Sequence, residues 1–374
     1  PEGVLNEGGS LKYEHGLHDV FDLLTVDEAA LCAVHYHGIA SRIKELGRKN
    51  NPRGTIGTGV GEAYRFSERF PELAIRAGEL LRTDLRDRIA SIRQQVEIDL
   101  GPIFSAGFLP EDEETARHEL GRLRDPGFLE YVVKRCQEAA RMVKIVGIEY
   151  FRKEVLGADG VIVCESSHGV LTDHFMGFHP HTSAIRTLPR FARAMVEGAG
   201  YDGEIVNIGV HRAYTIRHGA GPMPTADEAM AEALLPGSCK EDNRWQGRVR
   251  VGPLDLILLR YAIAASGGPK AYDGLAITWF DQVQRNGSWW FADRYSNPDY
   301  NFFTPQGEPK VRVGEDAVQL DYLEALGKAL TGMVPVLDEC KISEQATREE
   351  LYELCAGVLY EKLQVPVRMI SFGS

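Results

Sequence analysis

The chain has 374 residues, of which 44% are hydrophobic and 26% charged, a composition typical of a globular protein long enough for one large domain or two medium ones. Its 42 basic and 54 acidic residues give a formal net charge of −12, which argues against general nucleic-acid binding but not against a small anion held in an arginine-lined cleft. Six scattered cysteines without a CxxC pair predict neither a disulfide framework nor a thiolate zinc site.

The first 150 residues are predicted to be largely helical. Thr25-Val26-Asp27-Glu28 can cap a helix that ends near Leu46. A glycine-rich loop over residues 49–61 follows. Helical periodicity then continues over residues 70–100 and 111–146, with a break at one Asp-Pro-Gly turn in the second of these stretches.

The rest of the chain is predicted to alternate strands with helices. Short apolar runs are typical of parallel strands that are buried on both faces. Such runs occur at residues 160–165, 204–210, 275–280 and 367–372, and a helix is predicted at 254–265. We therefore expect an α/β fold with an open, mostly parallel sheet and flanking helices, in a single domain over residues 1–374, with ligands at the carboxyl ends of the strands.

The location is predicted from two absences in the sequence. The first residues, Pro1-Glu2-Gly3, lack the basic-then-apolar pattern of a secretion signal. The most apolar stretch, residues 254–265, is too short and too often interrupted by charge to span a bilayer. We expect a cytoplasmic protein with no membrane partner and no nucleic-acid partner.

The first segment with candidate chemistry is the glycine-rich loop. Four glycines within residues 54–61 allow backbone N–H groups to converge on an anion, and Thr58 can add its hydroxyl. No Gly-Lys-Ser/Thr follows, so this is not a Walker A loop. A plain flexible turn is the alternative.

The second segment covers residues 165–182. His168 could hydrogen-bond a base, and His174, His179 and His181 could together bind zinc, although such loose spacing often arises by chance. Histidines that hydrogen-bond only to backbone are the alternative.

Two further segments are rich in glycine and arginine. Residues 211–225 are dense in glycine and proline and would form a rigid wall of a pocket or a plain crossover loop. Residues 244–255 contain Arg248 and Arg250, which face the same way in an extended strand and could clamp a carboxylate or phosphate. An exposed charged strand is the alternative for this segment.

Taken in order, these segments resemble the adenylosuccinate synthetase family, and the likeness covers most of the chain from Thr55 to Gly373. The matching stretches are 56–64 (I-G-T-T-x-x-G-I-G-P-A-Y in the family, shortened here), 165–173 (F-E-G-A-Q-G-x-L-L-D), 212–225 (K-A-Y-x-T-R-x-G-x-G-P-F-P-T), 247–255 (G-R-x-R-R-x-G-W-L-D, one residue shorter here) and 259–262 (L-R-Y-A).

The resemblance implies a P-loop NTPase-like fold and a role in purine biosynthesis. Such a ligase joins L-aspartate to the 6-position of inosine monophosphate (IMP) through a 6-phosphoryl intermediate, hydrolyses GTP and uses Mg²⁺. A homodimer is also implied, as are small-molecule partners: a purine monophosphate, GTP or ATP, and L-aspartate.

The resemblance also implies which residues bind each substrate. The nucleotide-binding residues would be Thr58, Arg69 (reaching across the dimer interface), His168, Thr182 and Arg248. The aspartate-binding residues would be Arg244, Gln246, Gly247, Arg248 and Arg250. The GTP-binding residues would be Arg250, Trp279, Asp281, Ser371 and Gly373.

Two departures from the family pattern concern the bases. Trp279-Phe280-Asp281 stands where the family has K-x-D, so Asp281 could still accept hydrogen bonds from guanine while Trp279 stacks in place of the lysine stem. His168 replaces a glutamine. A variant ligase that acts on (d)GMP with ATP or GTP, giving 2-aminoadenylosuccinate, fits these changes about as well.

A third departure concerns catalysis. The family's W-G-D-E-G-K-G and N-A-G-H-T elements, which supply the catalytic Asp and His, the Mg²⁺ ligands and the phosphate loop, are not found in this sequence. We expect an N-terminally truncated form of the fold, with catalytic residues unknown, no metal ligands in this chain and no turnover by the chain alone. A catalytically dead nucleotide-binding or dimerisation module is the alternative from another class, and a plain triphosphatase is a third.

Overall fold

The structure, a computed structural model, describes residues 1–235, 242–343 and 345–373. The chain divides into two compact units. Unit 1 comprises Pro1–Cys164 and Met195–Tyr201, and unit 2 comprises Glu165–Ala194 and Asp202–Ser374. Among the described residues, no helix combines the length and the apolarity that a membrane span requires.

Unit 1 is mainly helical. Its helices are α1 (Glu2–Tyr13), α2 (Val20–Leu23), α3 (His35–Gly47), α4 (Val60–Arg69), α5 (Leu85–Ala106), α6 (Glu113–Arg124), α7 (Pro126–Met142) and α8 (Ile148–Tyr150). Strands β1 (Thr25–Asp27) and β2 (Lys144–Val146) pair in parallel. Helix α3 packs against α5, and these two helices contribute the fully buried Ile39, Ile43, Ile89 and Ile92 to the core.

The predicted break between two helices is confirmed, whereas the predicted helix start is wrong. Asp125 separates α6 from α7 and accepts a hydrogen bond from Gly127 N at 2.8 Å. Thr25–Asp27 is strand β1, and α3 begins only at His35. A Thr-Val pair suits a strand as well as a helix cap, and the distant partner β2 decides between them.

The predicted buried strand at residues 160–165 is also wrong. The segment is irregular, with Val161 92% and Val163 84% exposed. An apolar run indicates a need for burial, but a strand also requires a neighbour for its N–H and C=O groups. No described strand pairs with this run.

Unit 2 contains most of the strands. They are β3 (Ile208–Arg212), β4 (Thr215–His218), β5 (Val249–Gly252), β6 (Leu254–Asp255), β7 (Gly274–Thr278), β8 (Ser288–Tyr295), β9 (Pro335–Lys341) and β10 (Val367–Ile370). Its helices are α10 (Glu228–Leu234), α11 (Leu256–Ala265), α12 (Phe280–Asn286), α13 (Ala317–Thr331) and α14 (Arg348–Leu363), while α9 (Pro189–Gly198) has residues in both units.

The strand arrangement confirms an α/β fold with largely parallel pairing and flanking helices. Strands β10, β7 and β3 form a parallel sheet in that order, which confirms three of the predicted strands with shifted ends. Strand β8 pairs with β6 in parallel and with β9 antiparallel, and β4 pairs antiparallel with β5. The helix predicted at 254–265 is α11, whose N-cap Asp255 accepts from Leu258 N at 3.0 Å.

The parallel sheet gathers the chain segments that leave its carboxyl edge. Ala213 N, just after β3, donates to Thr278 O at 2.8 Å. Phe280 N, just after β7, donates to Ser371 O at 3.1 Å. These bonds hold the three strand ends together, at the edge where open α/β sheets bind their ligands.

Candidate functional site

The glycine-rich loop of unit 1 is fixed by hydrogen bonds to side chains of helix α3. Glu45 accepts hydrogen bonds from Arg53 N and Gly54 N, both at 2.7 Å, and Arg42 donates to Gly57 O at 2.9 Å. Gly59 has a φ of +87° and lies so close to the backbone of His37 and Gly38 that a Cβ atom would overlap it. The loop therefore ends in a fixed turn that leads into α4.

Two of the predicted nucleotide-binding residues lie on the surface of unit 1. Thr58 is exposed, one residue before the glycine that caps α4. Arg69, at the end of α4, has a side chain 54% exposed and forms a two-point ion pair with Asp99, at 2.8 and 3.3 Å. A role for Arg69 across a dimer interface stays a prediction.

The segment with the histidines is organised around a buried carboxylate. Asp173 is fully buried and accepts from Phe175 N at 2.9 Å and from Thr187 N at 2.6 Å. The Thr182 hydroxyl lies 3.3 Å from His179 Nε2, which in turn is 2.6 Å from His174 O. His168 is exposed and has a φ of +64°.

Metal ions have no recognisable binding site in the described part of the chain. No group of three or more His, Cys, Asp or Glu side chains is arranged to hold one there. In particular, the ring nitrogen of His179 that faces the Thr182 hydroxyl is already in contact with a backbone carbonyl. The described residues therefore offer no cluster of three such ligands to Mg²⁺.

Two arginines face each other on the antiparallel strands β4 and β5. Arg217 pairs with Arg250 in the register. Arg250 Nη2 donates to Gly219 O at 2.7 Å and to Gly221 O at 2.8 Å. Burial lowers the pKa of Arg250, and burial together with Arg250 lowers the pKa of Arg217 to about 10.

The loop before β5 carries the other predicted aspartate-binding residues. The Asn243 side chain accepts from Trp245 N at 2.9 Å and from Gln246 N at 3.0 Å. Arg244 lies over the Trp245 ring, 5.3 Å from its centre. Gly247, with a φ of +89°, closes the turn.

Arg248 and Arg250 have different surroundings. The Arg248 side chain is 70% exposed and lies 3.7 Å from Glu228. Arg250 is half-buried, and its Nη2 is bonded to the turn at residues 219–221, the glycine turn. Its Nε and Nη1 have no hydrogen-bond partner among the described residues. Of these two side chains, only that of Arg250 is fixed by the glycine turn.

A cavity of about 460 Å³ lies beside the carboxyl edge of the parallel sheet. It is lined by Asp281, Gln284, Arg285, Arg348 and Phe372. Asp281 Oδ2 accepts from Gln282 Nε2 at 3.0 Å, whereas Oδ1 is buried and has no partner. The Arg348 guanidinium lies 5.2 Å from the centre of the Phe372 ring.

Of the predicted GTP-binding residues, Asp281 lines this cavity, whereas Trp279, Ser371 and Gly373 are not among its lining residues. Ser371 and Gly373 flank Phe372, and Ser371 N donates to Ile277 O at 2.8 Å. Trp279 is only 9% exposed, and the Arg212 guanidinium lies 5.4 Å from the centre of its ring. The aromatic side chain at the cavity is therefore that of Phe372.

Sequence reasoning missed Arg348 and Phe372. A capping box precedes α14, in which Thr347 and Glu350 bond each other's backbone N–H, and its T-x-x-E pattern is visible in the sequence. That pattern fixes Arg348 at the first position of a helix. Only the fold brings this helix end to Phe372.

Comparisons with known proteins identify the family. The sequence profile described as "Adenylosuccinate synthetase" matches residues 1–374. The chain is 28% identical to the adenylosuccinate synthetase of Microcystis aeruginosa, covering 100% of this chain and 76% of that protein. It is 29% identical to that of Thermus thermophilus, covering 68% of this chain and 57% of that protein.

A solved structure agrees with the fold. It is described as "fully ligated Adenylosuccinate synthetase from Plasmodium falciparum" and matches with a TM-score of 0.66 at 16% sequence identity, over 98% of this chain and 80% of that one. At this identity the match supports the fold alone. With the profile match over the whole chain, the protein belongs to the adenylosuccinate synthetase family of purine-biosynthesis ligases.

Proposed function

We propose that this protein is a ligase that joins L-aspartate to the 6-position of IMP through a 6-phosphoryl intermediate, with hydrolysis of GTP. The observation that carries the proposal lies in unit 2. The predicted phosphate-binding segment around Thr182 and the predicted aspartate loop are connected there through Arg217 and the glycine turn. Two ionised substrates that must react can thus be held by one connected set of groups.

Aspartate would be bound by the loop before β5. The Nε and Nη1 groups of Arg250 have no partner among the described residues, and each can donate to a carboxylate oxygen of aspartate. The exposed Arg248 can donate to the second carboxylate. No carboxylate lies within 4 Å of the Arg250 guanidinium in the described part of the chain. An acidic ligand would therefore meet a cation that is not already neutralised.

The cavity beside the sheet would take the base of the triphosphate. Guanine presents N–H donors at N1 and N2, which the carboxylate of Asp281, a residue that lines the cavity, could accept. Adenine presents a bare N1 acceptor there, which the carboxylate would repel. This contrast favours GTP over ATP as the phosphate donor.

Other features of the proposal rest on the family likeness. Thr58 and Thr182 would bind the phosphate of the purine nucleotide, His168 would lie near its base, and Arg69 would complete the site in a homodimer. Mg²⁺ would assist phosphoryl transfer when bound. The described cysteines are free thiols, consistent with work in the reducing cytoplasm.

An assay of the 374-residue chain, alone and joined to the family's W-G-D-E-G-K-G and N-A-G-H-T elements, tests the proposal. It offers IMP, GMP or dGMP with GTP or ATP, L-aspartate and MgCl₂, and it follows inorganic phosphate and the nucleotide product by chromatography. Calorimetric titration of the same ligands records binding separately. For the chain alone we expect binding of IMP, GTP and L-aspartate without turnover. With the two elements present we expect aspartate-dependent phosphate release with IMP and GTP.

Each other outcome has a defined meaning. Product from dGMP or GMP but not IMP would support the 2-aminoadenylosuccinate branch, which His168 in place of glutamine suggests. Nucleotide binding without turnover, even with the two catalytic elements present, would identify a binding or dimerisation module. Aspartate-independent phosphate release would indicate a plain triphosphatase. A protein that shows no binding and no phosphate release would contradict all of these functions.

A further inference from the structure

Arg217 connects two separate stretches of backbone in unit 2. Its Nη2 donates to His181 O at 3.0 Å, and its Nε donates to Ala220 O at 3.0 Å. His181 directly precedes Thr182, the predicted phosphate ligand. One guanidinium therefore ties the phosphate-binding segment to the glycine turn.

The glycine turn is held by two arginines together. Arg217 takes the carbonyl of Ala220, while Arg250 takes those of Gly219 and Gly221. Gly221 has a φ of +113°, and a Cβ atom there would overlap the Arg217 guanidinium. All three carbonyls of the turn thus point at the two cations.

The turn also contacts the predicted aspartate loop. Gly219 N donates to Arg248 O at 3.0 Å. A Cβ atom at Gly219 would overlap the backbone of Gln246, so the two segments lie in direct contact. A continuous path therefore runs from Thr182 through Arg217 and the turn to Arg248.

The charges on this path are held only by neutral partners. In the described part of the chain, neither Arg217 nor Arg250 has a carboxylate within 4 Å, and all their hydrogen bonds go to backbone carbonyls. Burying two positive charges next to each other costs free energy, because both lose hydration and they repel each other. The backbone carbonyls offset the positive charges of Arg217 and Arg250 only in part. A ligand that fixes either end of the path therefore also stabilises the other end.

We infer that Arg217 is a positioning residue that couples purine monophosphate binding to aspartate binding. The inference rests on the proposed function. A nucleotide phosphate at Thr182 fixes His181 O, which fixes Arg217, the glycine turn and the aspartate loop in turn. Aspartate then meets a preorganised loop, and its binding costs less conformational entropy.

The test measures how each ligand changes the affinity for the other. Calorimetry gives the Kd of L-aspartate with and without saturating IMP, with GMP run in parallel, for the wild-type chain and for Arg217→Lys and Arg217→Gln. In the wild type we expect the nucleotide to tighten aspartate binding about 10-fold, within the usual range of coupling between sites. In Arg217→Lys we expect the affinity for each ligand alone to change less than about threefold, while the coupling falls below about twofold.

Arg260→Gln is the matched control. Arg260 is a half-buried arginine of unit 2 that is held by Asp293 and Glu308, away from the glycine turn. This variant should unfold at a lower temperature than the wild type and still retain the full coupling. Circular dichroism confirms that each variant is folded.

The outcomes separate this inference from the proposed function. Wild-type coupling in both Arg217 variants, or no coupling in a wild-type chain that binds both ligands, would overturn the role of Arg217 and leave the ligase proposal standing. A wild-type chain that binds neither ligand would overturn both.

Discussion

Arg248 is an exposed cation whose contribution to binding can be separated from its contribution to stability. Its side chain is 70% exposed, so Arg248→Leu should change the free energy of unfolding by less than about 0.5 kcal/mol. Loss of a charge-assisted bond to a carboxylate costs about 1.5–3 kcal/mol, which would weaken aspartate binding roughly 10- to 150-fold. Calorimetry with aspartate and with GTP measures both affinities.

The matched control is Arg117→Leu. Arg117 is an exposed arginine of unit 1, with a side chain 76% exposed and only a distant contact to Glu113. This variant should leave both affinities unchanged. If Arg248→Leu weakened GTP as much as aspartate, the assignment of Arg248 to aspartate would be wrong.

Asp255 should make stability depend on pH. It is buried, caps α11 and accepts from Tyr295 OH at 2.8 Å, and burial raises its pKa to about 6. Between about pH 4 and 6 the folded protein then holds more protons than the unfolded chain, so the free energy of unfolding falls as pH rises. Asp255→Asn keeps a capping acceptor and should remove this slope.

Urea unfolding at several pH values measures the slope. Asp316→Asn is the comparison, because Asp316 also caps a helix, accepting from Gln319 N at 2.8 Å, but is exposed. That variant should retain the wild-type slope between pH 4 and 6. An unchanged slope in Asp255→Asn would show that other groups cause it.

At the scale of elements, the start of α4 depends on one glycine. Gly59 has a φ of +87° and lies against the backbone of His37 and Gly38, so Gly59→Ala should destabilise unit 1 by about 1–3 kcal/mol. Gly9→Ala, inside α1 with nothing within 4 Å of its Cβ, should instead stabilise the protein by about 0.5–1 kcal/mol. Thermal unfolding of both variants compares them. Equal effects would mean that the loop adapts without strain.

Apolar runs predicted strands only where a partner strand exists. Residues 275–280 became β7, the middle strand of the parallel sheet, with β3 and β10 on its two sides. Residues 160–165 are also a short apolar run, yet they are irregular. The pattern of apolar residues indicates which side chains a segment tends to bury. Strand pairing depends on residues far away in the sequence, which a local pattern cannot show.

For the whole molecule, the order of motifs was predictable and their spatial grouping was not. The order of the stretches around Arg212, Gly247 and Leu259 along the sequence is enough to identify the family. The contact between Arg348 and Phe372, and the four carbonyl bonds of Arg217 and Arg250, arise only once the sheet brings strand ends together. No sequence spacing encodes which backbone oxygens an arginine will reach.

The exposed run at residues 160–165 has a practical consequence for handling the protein. Valines this open to water, within a short stretch of high β-propensity, match the composition of segments that stack between copies of a chain. Cys164 at the end of the run is an exposed thiol, so air oxidation would join two copies at the same place. Purified stocks will keep best when dilute and under a thiol reductant, and clouding on storage should begin from this stretch.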